Sequence, residues 1–300
     1  MEGSGLKSEA ALGPRREQGV SGIASQGLIF PSRPPADMLL SCVCRRVDIG
    51  PEMPLRETEA VVLRTYRLGE ADKIVSLFTR QWGRLRAVAA GAQRPKSRYG
   101  GTLEGLSYVR LWLFERENRD LLRMNSAELL ESFFDMQKDY RLQVAAQYVA
   151  EVSERFLPER EQNERAFRLV LAVLRGIKHS GEVNRPLLYF NYWLLRLGGF
   201  LPELNHCAAC GRELGEEPAF YGEGSEGLLC ADCRPAQAGV GIPSGARGVV
   251  LTYCQGPLDR WLVGDKEPPG VREARHFLEE VIESHLERKL VTRPMLDEEV

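Results

Sequence analysis

The chain has 300 residues, 43 % of them hydrophobic, with 40 basic and 42 acidic side chains and a formal net charge of −2. This composition is that of a globular protein and excludes a chain disordered throughout. No apolar run reaches the roughly 18 residues of a membrane-crossing helix, and the length predicts two domains or one domain with appendages.

The first 52 residues differ from the rest. MEGSGLKSEAALGPRREQGVSGIASQGLIFPSRPPAD is rich in Gly, Ser, Pro and Arg and has no sustained period. Such a segment buries too little apolar area to offset its ordering entropy, so residues 1–52 are expected to be a disordered leader. GLIF and MLLSCVC are too short and lie too far in for a secretory signal. Met53 stands just before the first convincing strand, so the leader reads either as a flexible tail or as an upstream start to a protein that begins near Met53.

From Thr58 the pattern alternates. EAVVLRTY, KIVSLFT, GRLRAVAAG, LSYVRLWLFE and DLLRMNSAE are five short β-runs separated by turn-forming segments. Their number and spacing predict a small antiparallel barrel or sandwich over residues 53–130; the five-stranded OB-fold fits the count and length, and an SH3-like barrel is also admitted. Near Leu129 the period changes to 3.6. FFDMQKDYRLQVAAQYVAEVSERFL, ERAFRLVLAVLRGIKHSG, RPLLYFNYWLLRLGG and REARHFLEEVIESHLERKL read as helices, punctuated by Pro158, Gly181 and Gly198–Gly199. Residues 131–300 are therefore expected to be a helical domain, loose after Arg293. In its third helix Tyr189, Phe190, Tyr192 and Trp193 read as buried core, the commoner use of such a stretch, against a base-stacking surface.

The seven cysteines are Cys42, Cys44, Cys207, Cys210, Cys230, Cys233 and Cys254. An odd count with two CxxC pairs points to a reduced, cytoplasmic protein and a metal, not to a disulfide framework. Cys207/Cys210 and Cys230/Cys233 are separated by nineteen residues, inside the spacing of tetrahedral zinc sites. Two intervening residues let both thiolates of a pair face one ion, and Gly211 suits the tight turn. Four thiolates close the shell, so one zinc ion in an insert at 206–234 is expected to be structural, with His206 a bystander. A redox role for one CxxC is the lesser alternative, since no thioredoxin-like βαβ context surrounds it.

The charge is segregated. Residues 54–110 carry eleven basic and five acidic side chains, leaving +6 there and −8 in the remainder. The window RQWGRLRAVAAGAQRPKSRYGG, Arg80 to Gly101, holds six basic residues and no acid. Such a field attracts polyanions, and phosphate contacts supply most non-specific affinity for nucleic acid. The candidate contacts are Lys73, Arg80, Arg84, Arg86, Arg94, Lys96 and Arg98, with Trp82 and Tyr99 either stacking on bases or packing in the core.

The segment EAVVLRTYRLGEADKIVSLFTRQWGRLRAVAAGAQRPKSRYGGTLEGLSYVRL, followed by LLRLGGFLPELNHCAACG and the second CxxC, resembles the RecO family of bacterial recombination mediators. The resemblance runs from about Glu57 to about Pro235. It implies an α+β chain: an N-terminal five-stranded OB-fold barrel, then an α-helical domain carrying a four-cysteine zinc insert. It also implies binding of single- and double-stranded DNA, annealing of complementary strands, and loading of RecA onto DNA coated by single-stranded DNA-binding protein. The implied partners are RecR and the acidic C-terminal tail of that coating protein. For the tail a basic-rimmed apolar groove is expected, with Arg168, Arg175 and Lys178 as candidates. Arg94, Lys96 and Arg98 match the family's basic loop.

Enzyme readings lack their motifs. There is no GxxxxGK[ST], no GxSxG and no H-x-E with P-C-x-x-C, and Glu216, Glu217 and Glu223 read as a solvated rim of the insert. A non-enzymatic DNA mediator is thus expected, and a zinc-stapled RNA-binding or ribosome-associated factor is the alternative that charge alone leaves open.

Overall fold

The computed structural model describes residues 54–114, 121–222, 227–234, 239–264 and 266–298. The expected leader 1–52 and Glu223 lie outside these residues.

Five strands close into a barrel: β1 (Leu55–Leu68), β2 (Asp72–Thr79), β3 (Gly83–Ala89), β4 (Tyr108–Phe114) and β5 (Leu121–Glu131). Their order around the wall is β1-β2-β3-β5-β4, closing back on β1, with all neighbours antiparallel except β3 and β5. This is the OB-fold arrangement, and it removes the free sheet edges of an open sheet. β1 is much longer than its alternating core, and a bulge between Val62 and Arg64 bends it so that it pairs with both β2 and β4.

The run Ala60–Leu63 explains how barrel and helices join. All four residues are buried. Ala60 and Val62 point into the barrel, while Val61 and Leu63 belong to the core of the helical region. On β2, Phe78 likewise leaves the barrel and meets Phe167 edge-on at 5.8 Å between ring centroids. The β2–β3 turn presses on the same region: a Cβ on Gly83, whose φ is +63°, would lie 1.9 Å from the Glu161 carbonyl oxygen. Only glycine fits there.

The helical part begins with a 3₁₀ turn at Phe134–Lys138. It continues through α1 (Tyr140–Phe156), α2 (Glu164–Ser180) and α3 (Asn184–Gly198). Asp139 caps α1 through Arg141 N–H at 2.9 Å, and Asn163 caps α2 through Ala166 N–H at 2.9 Å. After the cysteine insert come α4 (Ser244–Tyr253), α5 (Leu258–Leu262), α6 (Val271–Leu286) and α7 (Thr292–Asp297). No helix among the described residues is long and apolar enough to cross a membrane.

The expectation that the chain loosens after Arg293 is corrected by α7. Glu151 of α1, its side chain 1 % exposed, accepts hydrogen bonds from the N–H groups of Val291 and Thr292, both at 2.9 Å, and from the Thr292 hydroxyl at 2.6 Å. A carboxylate thus satisfies the first donors of a helix that sequence period was too short to reveal. At the other end Asp297 accepts from Arg275 at 2.8 Å. Burial pushes the Glu151 carboxyl up, but these donors and Arg155 outweigh it and hold the group below its ordinary range. A depressed carboxylate stabilises above its unfolded pKa and loses that contribution as pH falls through the folded value. Glu151→Ala is therefore expected to cost about 3 kcal/mol at neutral pH. In urea denaturation the gap to wild type should narrow as the pH is lowered below about 4.

Candidate nucleic-acid interface and metal centre

The basic window folds as the β2–β3 turn, β3, and the loop 90–107. That loop is a succession of closed turns. Arg94 N–H bonds to the Gly91 carbonyl at 3.2 Å, Ser97 to Arg94 at 3.0 Å, Gly100 to Ser97 at 3.2 Å and Thr102 to Tyr99 at 2.9 Å. Asp72 fastens its start, accepting from Gly91 N–H at 2.8 Å. Tyr99 and Leu103, 1 % and 2 % exposed, enter the barrel core and make the loop a lid on the barrel's end. The Tyr99 hydroxyl donates to the Met124 carbonyl at 3.0 Å and accepts from Arg98 Nη2 at 3.1 Å. Burial pushes the phenol's pKa up, and Arg98 and Arg123 pull against it.

With both aromatic and apolar residues of the lid turned inward, Arg94, Lys96 and Arg98 are exposed on its outside. Arg86, on the outer face of β3, is exposed too, and none of these four meets a carboxylate among the described residues. The other sequence candidates are placed differently. Tyr99 is a plug, so its ring is not a stacking surface: its apolar ring gains more from the barrel core than from water. Trp82 is half-buried against the same core. Arg80 pairs with Glu164 at 2.7 Å and Glu59 at 3.1 Å. Arg84 pairs with Glu159 at 2.8 Å and donates from Nε to the Leu157 carbonyl at 3.1 Å. Both arginines are held at the junction with the helices. Lys73 stands 3.9 Å from Glu104.

The second centre is the cysteine insert. The sulfurs of Cys207, Cys210, Cys230 and Cys233 all lie within 4.8 Å of one another, and Cys210 and Cys230 are 3.9 Å apart. Four sulfurs at about 2.3 Å from a central zinc would be about 3.8 Å apart, so the cage has the right size. Each CxxC is a tight turn: Gly211, at φ +73°, donates to the Cys207 carbonyl at 2.8 Å, and Cys233 donates to that of Cys230 at 3.1 Å. Electrostatics point the same way. Burial raises the Cys207 thiol, but backbone N–H groups of Cys230, Cys210 and Ala209 bring it down to about 6. Cys233 is pushed up to about 12 by hydrogen bonding to Cys210 and Cys230. One thiolate forms readily and the last is opposed by its neighbours, a conflict that a bound dication relieves. His206 is exposed, 3.8 Å from Glu203, and is not one of the four clustered ligands.

Two family profiles match this chain: Recombination protein O N terminal over residues 53–133 and Recombination protein O C terminal over residues 137–294. A curated relative from Koribacter versatilis, named DNA repair protein RecO, is 42 % identical over 244 residues, covering 81 % of this chain and 98 % of the relative. Relatives of the same name from Frankia casuarinae and an Anaeromyxobacter species are 34 % and 32 % identical, covering 99 % and 94 % of their own lengths. The chain belongs to the RecO family.

Two further features stand out in this RecO-family chain, of which only the second, a groove, was expected from its sequence. Arg247 of α4, 4 % exposed, donates to the carbonyls of Leu204 at 3.2 Å, Leu214 at 2.7 Å, Gly215 at 2.6 Å and Glu217 at 2.7 Å. It fixes the root of the cysteine insert to the helical core, a task carried by carbonyls scattered along a loop. A groove of ≈ 660 Å³ lies between α2 and α3, walled by Leu169, Ala172, Tyr189, Trp193 and Leu197, with Arg165, Arg168 and Arg175 on its rim. Phe190 and Tyr192 are buried as the sequence suggests, but Tyr189 and Trp193 are only half-buried and face the groove. Lys178 does not line it; its ammonium donates to the Ser132 carbonyl at 2.7 Å.

For the candidate metal cage, Cys230→Ser is expected to lower the metal bound per chain and to drop the melting temperature by roughly 5–10 °C. Metal analysis of purified protein beside a thermal scan checks both.

Proposed function

We propose that this protein is a non-enzymatic recombination mediator acting in DNA repair. On this reading the barrel, residues 53–130, binds single- and double-stranded DNA, anneals complementary strands, and with the helical part, residues 131–300, helps load RecA onto DNA coated by single-stranded DNA-binding protein. The observation that carries it is the lid, which sets Arg94, Lys96 and Arg98 outward without acidic partners among the described residues, on a chain whose net charge is negative. Arginines and lysines held on a rigid surface without carboxylates neutralise phosphates, and neutralising two strands lowers the repulsion that keeps complementary bases apart.

The same reading gives the other parts their work. The apolar groove with Arg165, Arg168 and Arg175 suits an acidic, apolar peptide, the chemistry of the coating protein's C-terminal tail. RecR is the further expected partner, and the site of action is the cytoplasm at the nucleoid. The four cysteines hold one structural zinc ion, whose closed shell offers no position for substrate.

The deciding experiment is strand annealing of complementary oligonucleotides coated with single-stranded DNA-binding protein, comparing wild type with Arg94→Ala/Lys96→Ala/Arg98→Ala. The triple variant is expected to anneal slowly. Its log–log dependence of affinity on salt should be shallower by about 2, since each single-strand phosphate left without its cation removes about 0.7 from the slope. Equal annealing by both proteins would remove the lid from the function. For the groove, Arg168→Glu is expected to weaken binding of the isolated acidic tail peptide roughly tenfold, the size of one charge-assisted hydrogen bond. Titration calorimetry reads this directly.

A further inference from the structure

The outer face of β4 carries two aromatic side chains that neither hydrophobic core uses. Leu111 and Leu113 point into the barrel and are buried, so Trp112 and Phe114 alternate to the outside, each half-buried. Neither packs against the barrel core or the helical core. Each ring is thus partly open to solvent on the outer face without belonging to either core.

Trp112 pairs in register with Glu57 of β1 and Ser126 of β5, while the β5 neighbour of Phe114 is basic. Phe114 pairs in register with Arg123 of β5, whose following residue Met124 is buried in the barrel, so Arg123 stands beside Phe114 on the outer face. Across the parallel seam Arg123 pairs with Val88, and Arg86, two residues earlier on β3, shares that face. Strand spacing and rise put the Cα atoms of Arg86 and Arg123 about 8 Å apart. Arg98 reaches the same place from the lid, since the Tyr99 hydroxyl that accepts from it donates to the carbonyl of Met124. Arg86, Arg98 and Arg123 are all exposed and meet no carboxylate among the described residues. The acids on this side, Glu57 and Glu128, are both engaged by Arg110, at 3.3 and 3.6 Å.

We propose that the outer face of β4, β5 and β3 is a single-strand platform, on which Trp112 and Phe114 stack bases while Arg123, Arg98 and Arg86 hold the phosphates between them. Rings interleaved with arginines that meet no carboxylate are what unstacked nucleotides recognise, because every base has a π-face and every linkage an anion. A duplex has its bases stacked inside and offers the rings nothing. The platform therefore discriminates single strands from duplex, which the lid's charges alone do not. The outer faces of β1 and β2 are excluded from this role where Val61, Leu63 and Phe78 pack on the helices.

The proposal rests on the reading that the barrel binds DNA, and the test separates the two. Anisotropy of a fluorescein-labelled oligo-dT and of a labelled duplex is measured with full-length, metal-loaded protein across a range of salt. Trp112→Ala is expected to weaken oligo-dT binding roughly tenfold at unchanged salt slope and to leave duplex binding within about twofold, with Trp112→Phe close to wild type. Arg123→Ala should flatten the slope by about 0.7, and Arg123→Lys should restore it. Oligo-dT binding unchanged in Trp112→Ala and in Arg123→Ala, while the lid triple variant still loses it, would overturn the platform and leave the DNA-binding barrel standing. Equal losses on oligo-dT and duplex in Trp112→Ala would likewise overturn it, by showing a damaged barrel. If wild type bound neither probe, both readings would fall together.

Discussion

One strand segment buried on both faces governs the architecture. Ala60 and Val62 fill the barrel while Val61 and Leu63 fill the helical core, so four consecutive residues serve two cores at once. A strand covered on both sides must be apolar throughout, and its outer face is no longer available to a ligand. The consequence reaches across the barrel: with β1 and β2 committed to the helices, the surfaces left free of them are the lid and the outer faces of β3, β4 and β5. Phe78, Gly83, Arg80 and Arg84 reinforce that choice, each by a different kind of contact with the segment between α1 and α2 or with α2 itself.

The lid works by the same economy of sides. A basic loop of Gly, Pro and Ser would ordinarily be a mobile, solvated tether, and mobile charges hold phosphates poorly because ordering them costs entropy. Tyr99 and Leu103 remove that freedom by entering the barrel, and the Tyr99 hydroxyl couples one guanidinium to the wall of β5. The cysteine insert solves a comparable problem without a core of its own. Two tight turns bring four thiols together, and Arg247 fastens the flanking chain by hydrogen bonds to the carbonyls of Leu204, Leu214, Gly215 and Glu217.

What the sequence disclosed follows from how local each signal is. Strand alternation, helix period and CxxC spacing are properties of neighbouring residues, so the five-stranded barrel, the main helices and the cluster of Cys207, Cys210, Cys230 and Cys233 could be read from it. Partnerships between distant residues could not. Arg80 and Arg84 look like free charges beside Trp82, yet the acids that hold them, Glu164 and Glu159, stand on the far side of the barrel in sequence and against it in space. Tyr99 and Trp112 are both aromatic residues among basic neighbours. Only the closing of the barrel decides that the first turns inward and the second outward. The short α7 was missed for a related reason: its six residues hold too little period, and its N-terminal donors are met by Glu151 from another helix.

The junction also links the barrel to the apolar groove. Glu164 opens α2 and pairs with Arg80 of the barrel, while Arg165 and Arg168 of the first turns, on the same helix, rim the apolar groove. Farther along, Arg175 lines the groove and pairs with Glu131 at the end of β5 at 2.8 Å. One helix is thus pinned to the barrel near both ends and presents its free flank to the groove. α2 could not shift against the barrel without straining these ion pairs and the Phe78–Phe167 contact. The geometry favours a fixed separation of groove and barrel over a hinge that opens and closes.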